Sequence, residues 1–502
     1  MSPVDLSRVS KIVGYAFGTF TQDITPNLPQ RIVILGEANT ANQATLETTK
    51  KEITSAKQAG ELYGYGSPIY LAMRILRPYQ GGGVNSIPTL VIAQEAPVGA
   101  TSKKIEITPT GVATSNGTHT LVVAGREGLE GTFYDINIVS GDTTDLITAK
   151  IEDAINNVLG CPISATSTDY EATLESKWKG LTANDLTVTV NTNGKDLGIT
   201  YAVVSTQSGS GTPSITDALA QFGNEWVTIV VNTYGLTSTN INNALEAFNG
   251  NPNDKTGRYA GTITKPFIAL TGSVAEDSSS FTDTKKEELT LAICPAPLSS
   301  GLQFEAAANM AVLFANVSNN TPHLDVSGSF YPDMPTPLAI GVMAQSNDRD
   351  SIVKKGCSTV DLESGKYKVV DFVTTYHPIG EEPPQFRWCR NLIIDFNLRY
   401  GYYLLELSNV VDHAIANDND IVSAQKVVKP KQWKQVLFKY SENLATRALI
   451  VDAEFMQKSI QVNLSTTNPD RLEVLFKYKR SGYARIVSTT AQAGFNFGTL
   501  NV

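Results

Sequence analysis

The hydrophobic pattern changes its period along the chain, and each change predicts a different kind of element. At the start Val13, Tyr15 and Phe17 alternate with Gly14, Ala16 and Gly18, the period of a strand with one apolar face. At the other end Ala493, Phe495 and Phe497 alternate with Gly494, Asn496 and Gly498. Terminal segments fray unless something ties them down. Two apolar, period-two ends therefore predict extended arms, residues 1–22 and 486–502, that each find a sheet. Spacing alone leaves open whether that sheet belongs to the same subunit or to another.

Between the arms, Arg31–Gly36 reads as a buried strand. Ser67 suits a helix N-cap and Pro68 the first helical position, which predicts a helix with its body over Ile69–Leu76. Another strand follows at Thr89–Ala93. From Gly99 to Gly211 the texture changes to short strands rich in Thr, Val, Gly and Asn: Lys104–Thr108, Thr120–Ala124, Asp135–Val139 and Leu186–Val190. One helix interrupts them, near Asp145–Leu159. This stretch reads as an inserted, mostly-β domain, closed by Ser208-Gly209-Ser210-Gly211 as a flexible joint.

Strands then alternate with helices: Trp226–Val231, a helix over Asn240–Phe248, Phe267–Leu270, Leu289–Ile293 and a helix over Phe304–Phe314. Such alternation predicts an α/β layer, which the strands at 31–36 and 89–93 join across the insertion. A third texture begins near Ile352, with a strand at Tyr367–Thr375. The residues Ile393, Phe396, Tyr400, Tyr403, Leu407, Val410 and Ala414 recur at three-four spacing, one stripe of a long helix. A second helix is predicted from Ser441, with Leu444, Ala448, Val451 and Phe455 on one face. Leu472, Val474, Phe476 and Tyr478 alternate with polar residues, a strand with one wet face. The predicted fold class is α+β multidomain. An α/β layered domain (23–98 and 212–351) carries an inserted mostly-β domain (99–211), and an α+β C-terminal domain (352–485) lies before the last arm.

Composition narrows the function classes. With 502 residues, 41% hydrophobic and 18% charged, the chain builds several cores and is not disordered. No stretch approaches the roughly 18 apolar residues of a membrane span. Met1–Ser10 lacks a basic region followed by an apolar core, so no Sec-type signal is visible, and synthesis and assembly in a cytoplasm without membrane insertion are expected. The net charge of −9 argues against a general nucleic-acid binder.

Sites for chemistry are missing from the pattern. Cys161, Cys294, Cys357 and Cys389 lie far apart and read as buried thiols. His119, His323, His377 and His413 are isolated, without metal-ligand spacing. Gly64-Tyr65-Gly66 has Ile69 where a dinucleotide fingerprint needs its third glycine, and Gly81-Gly82-Gly83 leads into no phosphate loop. Asn417-Asp418-Asn419-Asp420 lacks the glycine and distal glutamate of a calcium loop. Glu381-Glu382, beside Pro383-Pro384, reads as a loop rather than a carboxylate pair. No catalytic, cofactor or metal residues are predicted.

Charge is asymmetric: Lys426–Arg485 holds 12 Lys or Arg against 5 Asp or Glu. That excess predicts a C-terminal module facing an acidic partner; an ordinary solvated basic surface is the other reading. Lys429, Lys431 and Lys434 flank Pro430 and Trp433 on an expected exposed lead-in to the Ser441 helix. Arg447 and Lys458, eleven apart, are expected on one face of that helix.

Four segments, in order, carry a family resemblance: "LPQRIVILGEA" from Leu28, "AGELYGYGSPIYLAMR" from Ala59, "GCSTVDLESGKYKVVDFVTTY" from Gly356 and "NPDRLEVLFKYKRSGYARIVSTTAQAGFNF" from Asn468. Together they resemble the tail-sheath family of contractile phages, R-type bacteriocins and extracellular contractile injection systems, over residues 10–95 and 350–500. The Glu381-Glu382-Pro383-Pro384 linker departs from the shorter polar turn that sheaths often carry there.

The resemblance implies a structural subunit, not an enzyme, that needs no cofactor. It polymerises around a tail tube and contracts by rigid-body movement to drive the tube through a cell envelope. The implied partners are further copies of the chain in a helical stack of rings, the tail tube protein, and baseplate and tail terminator proteins, with no direct nucleic-acid contact. Arms of neighbouring subunits would add strands to the C-terminal domain, giving Val13, Tyr15, Phe17, Ala493, Phe495 and Phe497 intersubunit roles. Lys429, Lys431, Lys434, Arg447 and Lys458 would face the tube. The implied location is a virion tail or injection particle, made in the bacterial host cytoplasm. Two other readings stay open: another phage tail or baseplate protein, and a surface adhesion or carbohydrate-binding protein suggested by the Thr/Gly-rich stretch.

Overall fold

The computed structural model describes residues 25–337 and 346–495. These form two compact units: 25–27 with 400–479, and 28–399 (338–345 aside) with 480–495. The fold is α+β with several separate sheets.

The larger unit is organised by a six-stranded sheet. Its order is Leu291–Pro295, Ile268–Ser273, Ile229–Asn232, Ile32–Glu37, Thr89–Gln94 and Lys51–Glu52. The first five strands run parallel, and the short Lys51–Glu52 edge runs antiparallel. Every residue of the five parallel strands is buried. Strands covered on both faces need continuous apolar runs rather than alternation, which is why they stood out in the sequence. The helix Pro68–Leu76 begins as predicted: the Ser67 hydroxyl accepts the Tyr70 N–H at 3.1 Å, and Pro68 takes the first position. It packs on the helix Gln303–Asn320, which lies along Ile268–Ser273. Gly272 permits that approach, since a Cβ there would collide with the Gln303 carbonyl.

Among the described residues the insertion contains a two-stranded pair, Gly128–Leu129 with Thr132–Phe133, and two larger antiparallel sheets. One is ordered Thr200–Gln207, Lys104–Thr110, Ala172–Ser176, Ile163–Ser167; the other Val188–Asn191, Gly117–Val123, Asp135–Ile138. The helix Thr144–Asn156 packs on Ile163–Ser167. Its core of Ile105, Ile107, Leu121, Ile136, Ile151 and Leu174 continues without a break into Tyr70, Leu71, Leu302 and Phe304 of the α/β layer.

The joint at Ser208–Gly211, expected to be flexible, is tied by hydrogen bonds on both sides. Thr101 and Ser210 exchange two backbone hydrogen bonds at 3.1 and 3.2 Å. The Asn184 amide both donates to and accepts from the Gly209 backbone, each at 2.8 Å. Register decides this: Lys104–Thr110 and Thr200–Gln207 are antiparallel neighbours, so the two connections leave side by side and pair.

The long C-terminal helix spans Cys389–Asn409. Val410 and Ala414 of the expected stripe lie beyond its end. The second expected helix is also corrected. One helix runs Pro430–Thr446, burying Trp433, Leu437, Tyr440 and Leu444, and a separate one runs Ala453–Ser459. Between them Ala448 and Asp452 have φ of +53° and +59°, which no continuing helix allows. The Asp452 carboxylate restarts the helix by accepting the Phe455 N–H at 3.1 Å. An antiparallel hairpin, Gln461–Leu464 with Leu472–Leu475, follows.

Candidate assembly surfaces

Within the 400–479 unit, Arg447 and Asn443 reach the N-terminal residues Thr25 and Asn27. Arg447, just past the Pro430–Thr446 helix, donates to the Thr25 hydroxyl at 3.1 Å and to the Asn27 side-chain carbonyl. Thr25 in turn donates to Asn443 at 3.1 Å. Burial lowers the Arg447 pKa, so this guanidinium is a partly desolvated anchor rather than a free surface charge. Val13, Tyr15 and Phe17 lie outside the described residues, as does Phe497.

Lys429 is the N-cap of the Pro430–Thr446 helix, and Lys431 and Lys434 sit in its opening turns rather than on a separate lead-in. Cations at a helix N-terminus oppose the macrodipole. The Asn417–Asp420 loop offsets them. Asp418 accepts the Lys431 backbone N–H at 2.8 Å, and the Lys429 ammonium donates to the Asp420 carbonyl. That loop is thus a helix cap, a role its composition did not disclose. Lys434 lies over the Phe438 ring at 5.7 Å. Lys458 is exposed and pairs with Glu454 at 2.6 Å on the Ala453–Ser459 helix. Arg447 and Lys458 therefore share no helix face.

Part of the basic excess is neutralised locally. Lys479 pairs with Asp452 at 2.6 Å and Arg471 with Glu473 at 3.3 Å. In the larger unit Arg480 makes a two-pronged contact with Asp395, at 2.7 and 2.6 Å. Arg390 donates to the Ser481 carbonyl and hydroxyl and to the His323 carbonyl, at 2.7 to 2.8 Å. Arg485 pairs with Asp325 and stacks 3.5 Å from the Trp388 ring centre. These contacts pin the chain as far as Arg485. Beyond it Ile486 and Val487 are 91% and 80% exposed, Ala493 is exposed and Phe495 is 89% exposed. Residues 481–495 take no regular secondary structure.

The four cysteines and two of the histidines, His119 and His377, are built into cores. All four cysteines are free and buried, and burial pushes Cys357 up to about 12. His119 sits between the Tyr201 hydroxyl at 3.0 Å and the Lys195 carbonyl at 3.2 Å. His377 Nδ1 is 2.7 Å from the Thr375 carbonyl. Gly64 and Gly66 are turn glycines with φ of +93° and +86°. Among the described residues, no group of three or more His, Cys, Asp or Glu is placed to hold a metal, and no helix is long and apolar enough to cross a membrane.

Over 476 residues the chain is 24% identical to the Mu-like prophage FluMu tail sheath protein of Haemophilus influenzae, covering 90% of each. The chain is thus similar to a tail sheath protein along nine-tenths of its length. No family model matches it. Among solved structures, the sheath tail protein of Desulfitobacterium hafniense is 13% identical with a TM-score of 0.44, covering 93% of this chain and 100% of its own. The contracted helical sheath of the anti-feeding prophage is 10% identical with a TM-score of 0.47, covering 96% and 99%.

The sequence pattern did not reveal Asp418, Asp395 and Asp325 as functional partners. Each is a single acidic residue whose partner lies 13 to 160 positions away, so no local spacing could reveal it.

Proposed function

We propose that this chain works by assembly rather than catalysis, as the structural subunit of a contractile sheath. The observation that carries the reading is relatedness to a tail sheath protein along nine-tenths of both chains. Local structure supports it. The hairpin Gln461–Leu464/Leu472–Leu475 packs on the Pro430–Thr446 helix but pairs with no further strand among the described residues, so its edges are templates for another strand. The exposed apolar stretch after Arg485 is the kind of segment that completes such an edge by strand addition.

In this reading the arms around Val13, Tyr15 and Phe17, and around Ala493, Phe495 and Phe497, enter sheets of other copies. The contact is head-to-tail, so it propagates into stacked rings. The opening turns of the Pro430–Thr446 helix face an acidic tail tube; baseplate and terminator proteins hold the two ends. The sheath sits on a virion tail or related particle and is made in the host cytoplasm. Residues 99–211 form its outer domain, 23–98 with 212–351 the α/β domain, and 352–485 the inner one.

Electron microscopy of the purified protein tests this. Full-length chain should form rings or wide tubes, and a variant lacking residues 1–20 should stay folded and monomeric. Long sheaths from the truncated chain would remove the arm mechanism, while a full-length chain that never polymerises would remove the sheath reading itself.

A further inference from the structure

In open α/β sheets, ligands bind outside the carboxyl ends of the strands where the strand order reverses. Here the chain passes from Ile32–Glu37 to Thr89–Gln94 on one side, then to Ile229–Asn232 on the other, so the reversal lies beside Glu37. The insertion seals that point. Glu37 is 2% exposed. The Thr182 oxygen accepts the Trp178 indole N–H at 2.8 Å, so its own hydrogen goes to Glu37 Oε2. Glu37 Oε1 has no hydrogen-bond partner among the described residues. It lies against Gly180, where φ is +137° and a Cβ would run into the carboxyl group.

Among the described residues, no compensating charge bonds to it. Tyr234, buried on the neighbouring strand's end, donates its hydroxyl to Gln94 at 2.6 Å. Asp185 is the charge that acts on Glu37, and it has the same sign. Asp185 is itself bonded to Gln303 at 2.7 Å and sits in the field of Lys103. An ionised Glu37 would face one hydroxyl donor and a like charge in an apolar enclosure. A neutral Glu37 leaves only one hydrogen bond unmet.

We propose that Glu37 and Thr182 form a proton-held latch, in which a neutral Glu37 keeps the insertion seated on the sheet and loss of that proton loosens it. Burial, reinforced by Asp185 and opposed by the Thr182 bond, pushes the Glu37 carboxyl up to about 8. Once the insertion lifts, the carboxyl returns to its ordinary range near 4.5. The seated state therefore binds the proton more tightly. Seating is strongest below the ordinary carboxylate range and weakens about tenfold per pH unit until pH passes about 8, where it levels off. This rests on the packing of the insertion and is independent of the sheath reading.

The test uses the full chain. Amide hydrogen exchange of the two connections, residues 99–104 and 207–212, is measured from pH 5 to 9 in wild type and Glu37→Gln. The ratio of the two removes the intrinsic pH dependence of exchange. That ratio should rise on the order of a hundredfold or more between pH 5 and 8 and then flatten. A ratio constant across the range overturns the latch. Thr182→Val gives a second readout that keeps the carboxyl. Losing the hydroxyl donor disfavours the charged form, so the levelling point should move to higher pH, and an unmoved or lowered point also overturns the proposal.

Discussion

One terminal guanidinium nitrogen of Arg126 lies 2.8 Å from both carboxylate oxygens of Glu305. The pair joins the insertion to the start of the Gln303–Asn320 helix, where Glu305 also accepts the Leu302 N–H at 3.2 Å. Arg74 and Asp333 complete the group, paired at 2.7 Å. Glu305 is 1% exposed, both arginines 13% and Asp333 43%, so Glu305 and the two cations are nearly dry while Asp333 meets solvent. Burial alone would raise the Asp333 carboxyl, but the two guanidinium groups hold it below its ordinary range.

Buried pairs are weak evidence for net stability, yet removing one partner strands the other charge. Arg126→Met should therefore lower unfolding stability by about 3–5 kcal/mol, seen as a lower urea midpoint. Arg126→Met with Glu305→Met should recover part of that loss. An unchanged midpoint in the single variant would show that the pair is solvated in solution.

The insertion should not be removable at will. Replacing residues 100–210 with a short Gly/Ser linker bares Tyr70, Leu71, Leu302 and Phe304, all at most 2% exposed in the intact chain. Each such side chain is worth roughly 1.5–3 kcal/mol of burial. The linker variant should aggregate or melt well below wild type in a thermal scan. If it melts with wild type and stays soluble, the shared core contributes little.

Much of this architecture was legible because burial on both faces leaves an unambiguous mark. Ile32–Leu35 and Leu291–Pro295 are apolar without interruption, and Ser67-Pro68 announces a helix start through local chemistry alone. The break after Thr446 was not legible, because Leu444, Ala448, Val451 and Phe455 keep helical spacing across it. A stripe four residues long at that spacing cannot distinguish one helix from two joined by positive-φ residues. The Ser208–Gly211 composition suggested flexibility, but pairing with Thr101 depends on a strand register that composition does not encode. Arg447 showed only its charge in the sequence; its partners Thr25 and Asn27 lie more than 400 positions away.

The thiols give a simple check on the cores. Burial raises the pKa of Cys161, Cys294, Cys357 and Cys389, and the thiolate is the reactive form. Native protein at pH 8 should be nearly inert to a chromogenic disulfide reagent, and urea should release four thiols per chain. Rapid labelling of even one thiol in the native state would contradict the packing around it.

The tube-facing reading can now be tested on the right residues. Arg447→Glu would disturb the Thr25 and Asn27 contacts, so weaker tube binding in that variant would not separate docking from folding. Lys431 and Lys434 are cleaner. Lys431 is exposed and engages Asp418 through its backbone N–H, so its side chain can change without loss of that cap. Reversing both lysines also relieves the unfavourable cations at a helix N-terminus, so Lys431→Glu with Lys434→Glu should fold at least as stably as wild type. Co-assembly with the cognate tube should nevertheless fall several-fold at low salt. The wild-type contact should weaken between 0.1 M and 1 M salt, as the Debye length shrinks from about 10 Å to about 3 Å. The double variant should show a flatter salt response, because fewer charges remain to be screened. Equal sheathing by both proteins at low salt would rule out the opening turns of this helix as the docking face, whatever the arms do.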